Sequence, residues 1–190
     1  VAKGSNFERE ICRKLSLWYS KGTSDELFWR SAMSGGMATV RRKKGQTTTA
    51  HAGDITAVDD RGAELLKHCV IECKRGYKYD LLDMVDKSKN RQFEDFLDQT
   101  TMEMEQSGVK VFMLIAQRDR RIITVTVPWV PFMSGILCNP SKCGEYVSTS
   151  IDEKNLFVLT TKLDRFLAAV DPDKFVEACK WAKERDAKGH

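Results

Sequence analysis

Asp54, Glu72 and Lys74 are the residues of this chain whose types and spacing could do chemistry together. Glu72 and Lys74 stand two apart in Val70-Ile71-Glu72-Cys73-Lys74, so in a strand they share one face. Asp54 heads a second apolar-rich run, Asp54-Ile55-Thr56-Ala57-Val58, and Asp59-Asp60-Arg61-Gly62 reads as the turn that folds the two runs into a hairpin. A Glu/Lys ion pair on a surface hairpin is the bland account of such a short pattern. The neighbours argue against it: Ile55, Ala57, Val58, Leu65, Leu66, Val70 and Ile71 are not the surroundings of solvated charges. Carboxylates in an apolar frame need a cation, and one lysine does not neutralise two of them. The pattern therefore reads as a divalent-metal site with a lysine beside it.

The chain that must position these groups has 190 residues, enough for one domain with a real core. With 42% hydrophobic and 31% charged residues it reads as folded rather than disordered. A net charge of +4 favours polyanionic partners only mildly, so the placement of the bases matters more. Arg41-Arg42-Lys43-Lys44 lies in a polar segment just ahead of Asp54, well placed for phosphates, and Arg118, Arg120 and Arg121 follow later. Arg75 continues the strand past Lys74, and His51, three residues before Asp54, reads as a loop histidine near a phosphate. Of the six cysteines, Cys12, Cys69, Cys73 and Cys179 fall in periodic apolar segments as small fillers. Cys138 and Cys143 flank a loop at a spacing that could hold half a zinc site, but no second pair completes it, and reduced thiols are the stronger reading. No secretory signal is evident and the longest apolar run, Val111 to Ala116, is too short to span a bilayer, so an intracellular protein is expected.

Periodicity supplies the elements. Ser5 or Asn6 is expected to cap a helix with Phe7, Ile11, Leu15 and Trp18 on its inner stripe, ending near Lys21-Gly22. Glu8 lies beside that stripe and Glu10 is rotated away from it. Leu27 to Ser31 reads as a strand, followed by a long polar passage to His51, a length typical of functional loops. After the two strands around the acidic pair, a helical region from Leu82 to Met104 directs Gln99 to the face of Phe96. Val109 to Ala116 and Ile122 to Val127 read as strands, the first covered on both faces. Residues 128 to 150 give no assignable pattern; Leu156 to Leu159 is a strand, Leu163 to Val170 a helix, and Asp171-Pro172 opens a last helix. Helix, three strands, helix, two strands and an extension make an α/β sheet with helices on both faces.

Taken together these residues resemble the PD-(D/E)xK nuclease superfamily. Lys3-Gly4-Ser5-Asn6-Phe7-Glu8-Arg9-Glu10-Ile11 looks like the first helix of archaeal-type Holliday junction resolvases; Arg30-Ser31 with Ser34-Gly35 is similar to their strand and loop before the site, and Gly53-Asp54 with Ile71-Glu72-Cys73-Lys74 to their catalytic core. Phe96-Leu97-Asp98-Gln99, ahead of Val111 to Ala116, also looks like phage-type nucleases, in which a helix glutamine lies near the active centre. The resemblance covers about the first 75 residues by motif, and the chain departs from the resolvases in a loop of about twenty residues between Ser34 and Asp54 and in everything past Pro128.

The resemblance implies a restriction-endonuclease-like fold: a central mixed β-sheet flanked by helices, with an αβββαβ core over residues 1–127. Residues 128–190 would add a loop, a strand and a C-terminal helical extension packed on the same domain. It implies Mg²⁺ or Mn²⁺ held by Asp54, Glu72 and the Cys73 backbone carbonyl, Lys74 acting on the attacking water, and Gln99 near the centre. Glu8 would bind a second metal or a metal-bound water. DNA, duplex or branched, would be the partner, contacted by Arg30, Ser34, Arg41, Arg42, Lys43, Lys44, His51 and Arg75. The products would be a 5′-phosphate and a 3′-hydroxyl, and two-fold cutting would need a homodimer.

Three other readings stay open beside a structure-specific endonuclease: a restriction or phage nuclease acting on linear duplex, a binding module of the same fold without turnover, and a zinc-stabilised interaction protein built on Cys138 and Cys143. The intact set of Glu8, Asp54, Glu72 and Lys74 argues against the pure binder, which has no use for buried carboxylates facing a polyanion.

Overall fold

A computed structural model describes residues 3–31, 53–76, 78, 91–118, 120–129, 139–151 and 156–187. Lys3–Tyr19 forms helix α1, and its three-and-four spacing buries Phe7, Ile11, Leu15 and Trp18. The helix starts upstream of the expected caps, so Ser5 and Asn6 ride its first turn, where backbone N–H groups have no intrahelical partner in any case. It ends as expected: Lys21 and Gly22 take positive φ, and the Gly22 N–H donates back to the Leu17 carbonyl at 2.7 Å. Phe28–Arg30 (β1) and Ile55–Ala57 (β2) pair antiparallel, with Arg30 opposite Ile55.

The expected hairpin is not formed. Asp59 caps a short helix, Asp60–Leu66 (α2), its carboxylate accepting the Gly62 N–H at 2.9 Å, and Leu65 is driven into the core. Capping chemistry and a buried leucine outweigh the turn propensity of Asp-Asp-Arg-Gly. The chain then enters Cys69–Arg75 (β3) in the same direction as the residues before β2, and Gly53 bridges Ile71 in parallel.

Gln92–Ser107 (α3) follows β3 and stops at Gly108, which takes the left-handed conformation. The upstream part of the expected helix, with Met84 and Val85, lies outside the described residues. Val111–Gln117 (β4) and Ile123–Pro128 (β5) form as expected. The stretch without readable pattern contains a 3-10 turn, Pro140–Cys143, and strand Tyr146–Ile151 (β6); Leu156–Lys162 (β7), Leu163–Ala169 (α4) and Pro172–Ala187 (α5) complete the order.

Strands of the main sheet run in the order β3-β4-β5-β7-β6, with β3 and β4 parallel and the other pairs antiparallel. Alternation along β3 and β4 divides the core in two. Cys69, Ile71, Cys73, Val111, Met113 and Ile115 face α1, α4 and α5, while Val70, Phe112, Leu114 and Ala116 face Phe93, Phe96 and Leu97 of α3. Each fully buried aromatic or leucine contributes roughly 1.5–3 kcal/mol of transfer free energy, so these two layers hold the sheet rigid. The result is a mixed sheet flanked by helices, the restriction-endonuclease-like architecture. Trp18 joins α1 to the C-terminal helices: its ring N–H donates to the Val170 carbonyl at 2.8 Å, and its ring packs T-shaped against Phe175.

Candidate active site

Asp54 sits where β1, β2 and β3 meet, and its backbone is clamped from both sides. The Ser31 N–H donates to the Asp54 carbonyl at 2.7 Å, and the Asp54 N–H donates to the Ile71 carbonyl at 2.9 Å. Its carboxylate accepts the Cys73 N–H at 2.9 Å through Oδ2. The approach is so close that Gly53 has no substitute: its φ is +90°, and a Cβ there would lie 2.4 Å from the Ile71 carbonyl oxygen.

Glu72 and Lys74 both point to the α3 side of β3, the face they share with Val70. Lys74 Nζ donates to Glu72 Oε1 at 2.6 Å and to Gln99 Oε1 at 2.8 Å, and rests 5.7 Å from the centre of the Phe96 ring. Gln99 Nε2 in turn donates to Glu72 Oε1 at 3.0 Å and to Glu103 Oε1 at 3.1 Å. The Glu72 side chain is 3% exposed and that of Lys74 13%. Asp54, Glu72, Lys74 and Gln99 thus converge as expected, though across a parallel bridge rather than a hairpin.

Glu8 approaches from α1 and is half-buried, whereas Glu10 is exposed, matching the helix faces read from the sequence. Its partner is Arg30: Nε lies 3.2 Å from Glu8 Oε2. That contact is an ion pair rather than an aligned hydrogen bond, since the buried Arg30 Nε has no hydrogen-bond partner among the described residues. Arg30, expected at a phosphate, is thus engaged with a carboxylate of the site. Arg75 is exposed, its guanidinium 5.6 Å from the Phe7 ring. Ser34, Arg41, Arg42, Lys43, Lys44 and His51 lie outside the described residues, as does Cys138. Cys143 is buried in the larger core cluster.

Charge is unbalanced here. Burial, reinforced by Glu8 and Glu103, pushes the Asp54 carboxyl up to about 6 against the pull of the Cys73 N–H and Lys74. Burial, then the neighbouring Asp54 charge, pushes Glu72 up to about 8 despite the Lys74 ammonium. Among the described residues, four carboxylates, Glu8, Asp54, Glu72 and Glu103, are set against Lys74 and Arg30. Burial pushes the nearby Cys12 thiol up to about 12 and Cys73 well above its ordinary value.

Among the described residues no three His, Cys, Asp or Glu side chains gather tightly enough to enclose a metal ion by themselves. The donor set still fits a hard divalent cation. Its donors are carboxylate oxygens, its charge is in excess, and Asp54 Oδ1 and Glu72 Oε2 take part in no hydrogen bond among the described residues.

Sequence reading missed Glu103, although Gln99 and Glu103 are four apart on one helix and must share a face. It also missed Arg9, whose guanidinium lies 5.9 Å from the ring of Trp29, a side chain left half exposed.

A family model described as "Phage putative PDDEXK endonuclease" matches residues 1–177. No curated protein and no solved structure matches.

Proposed function

We propose, from the premise that this chain belongs to the phage PD-(D/E)xK endonuclease family, that it is a Mg²⁺- or Mn²⁺-dependent endonuclease that hydrolyses phosphodiester bonds of DNA. The observation that carries the reading is the excess of buried carboxylate around Asp54 and Glu72 with one lysine pinned among them.

Asp54, Glu72 and the Cys73 carbonyl would hold the cation, which when bound supplies Lewis acidity and a more acidic water. The chain's own residues do the rest. Asp54 is locked on three atoms by Ser31, Ile71 and Cys73, so its carboxylate needs no reorganisation. Lys74, hydrogen-bonded to Glu72 and Gln99, orients the attacking water and offers positive charge to the phosphate. Gln99 turns its carbonyl oxygen to Lys74 and so fixes where the ammonium points. Glu8, with Arg30 behind it, faces the same centre from α1. Arg75 and the basic run Arg41 to Lys44 would take phosphates along the strand, with Ser34 and His51 in the loop before Asp54.

Branched DNA cut by a homodimer is the substrate and assembly the resolvase-like motifs favour. A phage-type nuclease acting on linear duplex is the second reading, supported by a family match that runs to residue 177, far past the end of those motifs. No helix among the described residues is long and apolar enough to cross a membrane. The test is incubation with a four-way junction, a matched linear duplex and single strands, each with Mg²⁺, Mn²⁺ or EDTA. Metal-dependent cutting with 5′-phosphate ends is expected, fastest on the junction. No cutting of any substrate with either metal sinks the enzyme reading, and equal rates on duplex and junction sink the resolvase-like one.

A further inference from the structure

Glu103 has no role in anything described so far except as a charge near the site. We propose that it is a positioning residue for the reaction: through its hydrogen bond to Gln99 it holds the Gln99 amide in the one orientation that keeps Lys74 in place. The inference rests on the nuclease reading for its kinetic consequence, but the geometry it concerns stands independently.

A primary amide has an acceptor at one corner and a two-hydrogen donor at the other. In Gln99 every corner is used. Oε1 accepts from Lys74 Nζ at 2.8 Å, and the two hydrogens of Nε2 go to Glu72 Oε1 at 3.0 Å and Glu103 Oε1 at 3.1 Å. A flipped amide would set its N–H groups against an ammonium and its oxygen against two carboxylates, so the charges dictate the orientation.

The two carboxylates are not equivalent. Glu72 Oε1 is shared between Lys74 and Gln99, and Glu72 is itself one of the proposed cation ligands, so its tie to Gln99 competes with other demands. Glu103 stands on α3 with Gln99, one helical turn on, and its tie is independent of β3. Glutamine has three side-chain torsions to restrain, and Gln99 is exposed enough for water to compete for its amide. The intrahelical bond from Glu103 is what keeps the amide turned whether or not Glu72 is engaged.

The test compares Glu103→Gln, which keeps an acceptor oxygen, with Glu103→Leu and Glu103→Ala, which do not; Ala guards against an effect of added apolar bulk. Wild-type turnover on the best DNA substrate is expected to fall about tenfold in kcat, with KM nearly unchanged, in Leu and Ala and to be largely kept in Gln. On a Gln99→Ala background the Glu103 substitutions should cost nothing further. The second readout needs neither metal nor DNA: the Nζ resonance of Lys74 in ¹⁵N-lysine-labelled protein in EDTA, assigned by its loss in Lys74→Arg. It should be protected from exchange in wild type and Glu103→Gln and broadened in Leu and Ala. An unchanged Lys74 signal in both Leu and Ala overturns the proposal, as does a Gln variant as slow as Leu, or a further loss on the Gln99→Ala background. A wild-type protein that cuts nothing overturns the nuclease reading instead, and the Lys74 signal still decides the positioning.

Discussion

Substituting Glu72 by Gln should make the metal-free protein more stable at pH 8 and leave it nearly unchanged at pH 5. The Glu72 carboxyl is raised from 4.5 in its ordinary state to about 8 in the fold, chiefly by burial and then by Asp54. A group whose folded pKa is raised holds its proton more tightly folded than unfolded. Its contribution is therefore fully present below pH 4.5 and is lost as pH climbs to about 8. At about 1.4 kcal/mol per pH unit, the span from pH 5 to pH 8 corresponds to a loss on the order of 3 kcal/mol. That is a large part of the roughly 5–15 kcal/mol that holds a domain together, and translates to about 10 °C in Tm for a chain of this size. Asp54, raised to about 6, adds loss in the lower part of the same window, and His68, lowered by burial, works the other way. Comparing Glu72→Gln with wild type cancels the His68 contribution. Thermal melts in EDTA at half-unit steps from pH 5 to pH 8.5 are the assay, with Mg²⁺ at pH 8 as the second arm. Wild type should lose Tm with rising pH and regain it on adding Mg²⁺; the variant should lose and regain clearly less, keeping only the smaller Asp54 contribution. A wild-type Tm that stays flat or rises across this window, or an equal slope in the variant, would refute the claim that buried negative charge is what this site stores.

Asp54→Asn and Lys74→Ala should each lower cleavage by at least roughly a hundredfold while leaving DNA affinity within a few-fold, measured by single-turnover rates and by binding in Ca²⁺; near-normal rates in either would show the centre lies elsewhere. Glu8→Gln should cost about tenfold or more in rate and Glu10→Gln less than about twofold, because Glu8 faces the site beside Arg30 and Glu10 faces solvent; the reverse order would misassign the helix face. Gly53→Ala should lower stability by about 2 kcal/mol or more and abolish cleavage, whereas Gly22→Ala, which shares the positive φ but meets nothing within 4 Å, should pay only the backbone penalty and stay active. Equal melting shifts in the two glycine variants would mean that the contact with Ile71 is not what Gly53 relieves.

Periodic segments were legible from sequence because burial on one face writes itself into spacing. Phe7, Ile11, Leu15 and Trp18 announce α1, and the unbroken apolar run of β4 announces a strand covered on both faces. Strand β6 left no such trace. It lies at the sheet's edge, with Tyr146, Val147, Ser148 and Ser150 exposed, so its side chains face no common core and its backbone pairing to β7 alone defines it. Where neither face is buried, the alternation that marks a strand has no cause.

The site shows the same division between what residue types encode and what three dimensions add. Glu72 and Lys74 were readable because a period of two needs only β3 itself. The position of Asp54 depends on contacts far apart in sequence: Ser31 from β1 on one side, Ile71 and Cys73 on the other. A local turn rule placed it across a hairpin, and Asp59 instead nucleated α2, turning the antiparallel guess into a parallel bridge at Gly53. The convergence of these side chains survives that correction for a physical reason. What the carboxylates need is a common low-dielectric neighbourhood, and the Gly53 bridge brings Asp54 within hydrogen-bond reach of the peptide between Glu72 and Lys74 whichever way its strand runs. The glycine is thus as much a part of the pattern as the acid beside it, because any side chain there would collide with the carbonyl of Ile71 and move Asp54 away from Glu72.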